Sequence, residues 1–177
     1  PAAIRLYNGV GSALVSIRGA AGGDEQALIE EGAQWRYLDD GTDQGTAWRS
    51  TAFDDFVWEI GAGELGYGDG DEATVVGFGD DDDAKFATTY FRHRFQVSDL
   101  AGIGALTLRL RYDDAAAVYL NGTEVVRSSN LPAGAAFDAY ATADVDDEDA
   151  FAVFAIPANL VVSGANVIAV EVHQGDG

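Results

Sequence analysis

Glu72, Glu171, His93 and His173 are the side chains best suited to acid–base chemistry, and the many aspartates are best suited to holding a hard cation. A glycosidase needs two carboxyl groups roughly 5–9.5 Å apart across a sugar cleft. The aspartates here stand in clumps (Asp39-Asp40, Asp54-Asp55, Asp80 to Asp83, Asp113-Asp114, Asp144 to Asp149), so such pairs arise trivially and have little diagnostic force. His93 shares an alternation phase with Phe91 and Phe95, which predicts a packed histidine rather than a catalyst. His173 shares its phase with Glu171, which predicts a simple pair at the end of the last strand. No Gly-x-Ser-x-Gly, His-Glu-x-x-His or Walker-type loop is present, and two histidines are too few for a two-metal hydrolase centre. The expectation is a domain without catalysis of its own.

For a metal, Asp69-Gly70-Asp71-Glu72 places three carboxylates in a glycine-bent loop where backbone carbonyls also turn inward, which suits Ca²⁺. Asp39, Asp40 and Asp43 around Gly41 offer a second set. The first does not match an EF-hand, and the Asp80 to Asp83 run reads as a charged loop because adjacent carboxylates cannot all face one ion. Structural calcium is the expected cofactor. For a sugar, the need is an aromatic platform for the ring face and planar polar groups for its hydroxyls. Trp48, Trp58, Tyr67, Tyr112 and Tyr140 are the aromatic candidates, and Arg49, Arg92, Asp113 and Asn121 the polar ones. Burial in a core is the competing expectation for each tryptophan. Asn121-Gly122-Thr123 is formally a glycosylation acceptor, yet a hairpin turn explains it without that role.

The elements that must position these residues are strands. Phe86 to Val97 alternates, with Tyr90, Arg92 and Arg94 on one side and Phe91, His93 and Phe95 on the other. Leu106 to Tyr112 sets Leu106, Leu108 and Leu110 inward against Thr107, Arg109 and Arg111. Ala116 to Leu120 runs into Asn121-Gly122, a strong hairpin signal, and Thr123 to Arg127 returns. Phe151 to Ile156 and Val167 to His173 are further strands, with a short turn over Pro157 to Leu160. The region from Trp35 to Gly79 is richer in glycine and aspartate, which predicts short strands between long loops. Helical signal is sparse: Glu25 to Glu31 suffices for a turn or two. Ile4 to Tyr7 and Ala13 to Ile17 are candidate strands of an N-terminal extension or added hairpin (1–33) ahead of the main unit (34–177). The pattern is that of an all-β sandwich. Val167 to His173 is apolar on both phases, so it should be central, covered on both faces.

The 177 residues suffice for one domain with its own core. Ten basic against thirty acidic side chains give a net charge of −20, a field that repels phosphate backbones and anionic lipid. Nucleic acid is therefore an unsuitable partner, and no apolar stretch approaches the ~20 residues that span a bilayer. Disorder does not follow from this acidity, because 47% of residues are hydrophobic and three Trp, nine Phe and seven Tyr demand packing. With no cysteine there is no disulfide or thiolate chemistry. Solvated acidic loops and calcium loops alike suit a secreted or extracellular setting, or a salt-loving organism. The chain lacks methionine and any basic-then-apolar leader, and reads as a segment of something longer.

Four blocks in order resemble the jelly-roll sugar-binding domain of family 2 glycoside hydrolases. They are Phe53-Asp-Asp-Phe-Val-Trp58, Thr89-Tyr-Phe-Arg-His-Arg-Phe95, the hairpin Arg109 to Gly122 and Gly164-Ala-Asn-Val-Ile-Ala-Val170, and they span most of the chain. A closer resemblance is to galactose-binding-like modules of large secreted bacterial proteins. It is carried by Trp35 to Trp48, by Leu65-Gly-Tyr-Gly-Asp-Gly-Asp-Glu72 and by Ala169 to Gln174. The resemblance implies a galactose-binding-like jelly roll, no catalysis, and attachment to larger proteins. In that group a further strand follows the final His-Gln, so the position beside Val167 to His173 is expected to be empty, or filled by residues 1–18 or another chain. Three functions follow in order: a calcium-stabilised carbohydrate-binding accessory module, a structural or adhesive protein-interaction module meeting neighbouring domains or another chain, and a glycan-active enzyme.

Overall fold

The computed structural model describes residues 12–18, 26–30, 32–63, 65–67, 72–81, 83–101, 103–145 and 151–175. The strands among them are β1 (Ser12–Arg18), β2 (Gln26–Ala27), β3 (Gln34–Leu38), β4 (Glu59–Ala62), β5 (Leu65–Gly66) and β6 (Thr74–Val75). They continue with β7 (Thr88–Val97), β8 (Ala105–Arg111), β9 (Ala115–Leu120), β10 (Thr123–Arg127), β11 (Ala152–Ile156) and β12 (Gly164–His173). Single 3₁₀ turns occupy Ala47–Arg49 and Ala158–Leu160.

Alternation decides which side chains meet. Leu106, Leu108 and Leu110 of β8 face inward and are fully buried. Across from them lie Phe91 and Phe95 of β7, Val118 and Leu120 of β9, and Ile168, Val170 and Val172 of β12. These two apolar faces belong to an antiparallel six-stranded sheet, ordered β10-β9-β12-β7-β3-β4, and an antiparallel four-stranded sheet, ordered β11-β8-β1-β2. Packed face to face they make an all-β sandwich. A parallel pair, β5 with β6, stands apart. The β9–β10 hairpin turns at Asn121 (φ 51°) and Gly122 (φ 88°), the left-handed pair that a two-residue turn requires.

Three expectations are corrected. Gln26–Ala27 is not helical but pairs with Ile17 and Ser16, because a two-residue strand completes the open edge of β1. β12 is central as expected, but no sheet position beside it is vacant or waits for residues 1–18 or another chain. It is bonded to β7 along Gly164–His173 on one side and to β9 along Ile168–His173 on the other. The segment around Ala13 to Ile17 instead joins the opposite sheet, where β1 runs the length of β8. Thirdly, Glu171 and His173 each bond other partners, given below. Ile4 to Tyr7 lies outside the described residues.

The outer face of the six-stranded sheet also carries apolar groups: Tyr90, Ala115, Ala117, Tyr119, Val167 and Ala169. Among the described residues no second sheet covers it. Two loops do, bringing Trp48, Trp58 and Phe53 from one side and Leu131, Phe137 and Ala141 from the other. This loop-covered face is where the candidate residues gather.

Candidate functional site

Strand register lines up the outer-face side chains in rows across the sheet. One row runs Arg36, Arg92, Ala169, Tyr119, Glu124, and the next runs Leu38, Tyr90, Glu171, Ala117, Arg127. At one end Arg36, Arg92 and Arg94 rise from β3 and β7 to the segment 48–58. Arg92, fully buried, donates to the carbonyls of Trp48 and Ser50 and to Asp55 Oδ2 at 2.8 Å. Arg94 donates to Thr51 and Phe53 carbonyls, and Arg36 to those of Phe56 and Trp58. Six carbonyls that no ladder serves are thus satisfied by three guanidinium groups, which hold the loop flat on the sheet. Asp55 sits among all three; burial pushes its carboxyl up, but the Arg92 hydrogen bond and the charges of Arg92, Arg94 and Arg36 outweigh this and hold it below the usual carboxylate range.

At the other end Tyr119 donates to Glu171 Oε1 at 2.6 Å, Arg49 pairs with Glu171 at 3.4 Å, and the Arg49 guanidinium lies 4.1 Å over the Tyr119 ring. Burial, then the Glu171 bond, pushes the Tyr119 hydroxyl far up. Burial also raises Tyr90, to about 12. Arg127 joins Glu124 at 2.7 Å and bonds the Pro132 carbonyl, tying down the second loop. His173, buried, donates from Nδ1 to Ala139 O at 2.6 Å, which fixes its tautomer, and stands 3.0 Å from Thr88 Oγ1. Burial lowers its pKa, as it lowers that of His93. His93 is packed as expected, its ring 5.1 Å from that of Trp35 and its Nδ1 bonded to Gln34 O.

The structure therefore brings together Trp48, Arg49, Trp58 and Arg92, but as the packing of the outer face. Trp48 and Trp58 are buried with ring centroids 6.4 Å apart, and Trp48 meets Tyr90 and Tyr119 edge-on. Tyr67 lies elsewhere, buried with its ring 4.6 Å from Phe78; burial first, then Asp113 and Asp114, raise its pKa. Asp113 is buried and Tyr112 is half-buried against the main core. Asn121 is spent on the fold, donating to Leu160 O and Asn166 Oδ1 and accepting from Val167 N.

Of the metal candidates, Asp69 and Asp71 lie outside the described residues, and Glu72 is half-buried. Asp39 accepts from Gly77 N, Asp40 from Thr42 N and Oγ1, and Asp43 from Gly45 N. The three carboxylates of that second set are thus each turned to a different backbone amide. Among the described residues no three acidic or histidine side chains are placed to share a cation.

Among the described residues, two cavities open near the loops. One, of about 260 Å³, is lined by Lys85, Phe86, Thr88, Phe137, Asp138 and Tyr140. Gly41, at φ +71°, lets the Phe86 ring close on the backbone, where a Cβ would stand 2.5 Å from Cδ1. Tyr140 is part-exposed and donates to Lys85 O at 2.9 Å, while Thr88 and His173 anchor residues 137–139. Among the described residues neither the Lys85 ammonium nor the Asp138 carboxylate has an ion-pair partner. Lys85, Phe86, Phe137 and Asp138 were not singled out by sequence, since only the fold brings residues 85–88 beside 137–140. The other cavity, of about 310 Å³, lies at the arginine end and is lined by Trp35, Arg36, Asp55, Ile60, His93 and Arg94 among others.

No protein-family model and no curated protein matches the chain. Among solved structures it is similar to a β-glucuronidase from glycoside hydrolase family 2, with TM-score 0.50 and 15% identity over 91% of this chain and 14% of that one. Bifidobacterium dentium β-glucuronidase complexed with coumarin-3-O-glucuronide gives 0.46 and 17%, over 97% and 22%. An uncultured Clostridium sp. β-glucuronidase gives 0.48 and 16%, over 97% and 24%. The first likeness shows a shared β-sandwich fold. The chain spans between 14% and 24% of the length of these structures. No helix among the described residues is long and apolar enough to cross a membrane.

Proposed function

We propose that the domain is a non-catalytic carbohydrate-binding accessory module of a glycosidase-like, secreted or surface bacterial protein, built on a galactose-binding-like jelly roll. The observation that carries this reading is the 260 Å³ concavity of Phe86, Phe137 and Tyr140. Its aromatic surface suits the C–H face of one pyranose, with Lys85 and Asp138 as polar groups for its hydroxyls. The engagement of Glu171, His93 and His173 in the packing supports a role without catalysis. A glycan array probed with the purified domain should give binding that Tyr140→Ala reduces at least tenfold; no glycan bound with or without chelator sinks the reading.

Calcium belongs to the same proposal, with Asp69, Asp71 and Glu72 as ligands. An ion bound only by the native state raises stability with its concentration. A melting temperature unchanged between excess chelator and millimolar Ca²⁺, at fixed ionic strength, removes calcium from the account.

A protein-interaction role is favoured by one observation. Phe56, Val57 and Ile60, at and beside edge strand β4, are 77%, 86% and 52% exposed. Concentration-dependent self-association, abolished by Phe56→Ser, would support that reading over a monomeric sugar binder.

A further inference from the structure

We infer that the cavity at the arginine end is a second ligand site, which takes the carboxylate of a single uronic-acid residue. The saccharide class rests on the proposed function above; the preference for an anion does not. The cavity exists because β3 leaves β7. Their ladder runs only through Leu38↔Tyr90, Tyr37↔Phe91 and Arg36↔Arg92, while Gln34 and Trp35 continue beside β4. The His93 ring bonds Gln34 O across the opening, so residues of both alternation phases line one space.

Among the described residues three guanidinium groups meet a single carboxylate there, Asp55, in a chain whose net charge is −20. Holding the loop engages all three nitrogens of Arg92 but not of the other two. Arg36 uses Nη1 on Phe56 and Trp58 carbonyls, with Nε 3.6 Å from Asp55, and Arg94 uses Nη1 and Nη2. Among the described residues Arg36 Nη2 and Arg94 Nε have no hydrogen-bond partner, and the two side chains are 27% and 45% exposed. Two charged donors suit the two oxygens of a carboxylate. Asp55, within 3.6 Å of both guanidinium groups, disfavours a dianion in the same space. Ile60 and the Trp35–His93 pair supply an apolar wall, and about 310 Å³ has room for one sugar ring. The field of the whole chain repels polyanions, which points to an isolated or terminal uronate in an otherwise neutral glycan.

The test is NMR of the arginine Nε–Hε signals during titration with sodium galacturonate, galactose, sodium sulfate and sodium glutamate at matched ionic strength. Galacturonate should shift the Arg94 signal saturably, with galactose, sulfate and glutamate at least tenfold weaker. Arg36→Gln, compared at a temperature where both proteins are fully folded, should weaken galacturonate at least tenfold, and Arg109→Gln on the other sheet should leave it unaltered. Equal response to galactose, equal response to sulfate or glutamate, or no response at all overturns the inference. The last result would leave the arginines as a loop clamp only. Galacturonate binding that Tyr140→Ala leaves intact, together with no neutral glycan on the array, would keep this site and refute the aromatic one.

Discussion

Replacing Arg92 by methionine keeps the length of a fully buried side chain but removes its charge and all of its hydrogen bonds. Asp55 loses its 2.8 Å partner, and the carbonyls of Trp48 and Ser50 lose their donor. Removing one partner of a buried ion pair costs about 3–5 kcal/mol. Asp55 retains Arg94 at 3.4 Å and Arg36 at 3.6 Å, and Ser50 is exposed to solvent whereas Trp48 is buried. The lower end, about 3 kcal/mol, is therefore expected, or a fall of about 6–12 °C in melting temperature for a domain of this size. Urea unfolding followed by tryptophan fluorescence reads it, because Trp48 and Trp58 lie in the clamped segment. The double variant Arg92→Met/Asp55→Leu should cost less than the single, since no buried charge is then left unmatched. A single-variant loss below about 1 kcal/mol, on the scale of an exposed pair, would refute the clamp and assign the loop to apolar packing alone.

Acid should weaken the domain in two stages. Burial lowers His93 and His173, so the unfolded chain binds more protons; their contribution is whole above about pH 6.5 and falls as the pH drops below it. Urea midpoints should decline between pH 7 and 5, and His93→Gln/His173→Gln should flatten that slope. Asp55, held low, contributes above about pH 4 and is lost as the pH falls through its depressed native value, a step that Asp55→Asn should remove. Asn121→Ala deletes three hydrogen bonds at a left-handed position and should cost about 2–3 kcal/mol in chemical denaturation. Leu108→Ala, at the centre of the sandwich core, should cost about 2–5 kcal/mol by the same measurement.

Local pattern was enough for the strands that fill the core. Period-two alternation identified β7, β8 and β12, because a pleated strand between two environments must alternate or be apolar throughout. Asn121-Gly122 announced its hairpin because few residues accept two left-handed positions in succession. The resemblance of Phe53 to Trp58 marked a segment that proves to be held by arginines, without indicating by which. What covers the outer face was not legible. Trp48 and Trp58 have the same composition whether they cap a sheet or offer a platform to sugar, and only the clamped loop buries them. The neighbours of β12 were not legible for a related reason: pairing is a long-range choice between strands, and alternation records a strand's faces but not its edges. The two cavities belong to the same class. Lys85 stands beside Tyr140, and Arg36 beside Arg94, only after the chain has folded, so sequence supplied the charges and aromatic rings while the tertiary structure decided which of them share a space.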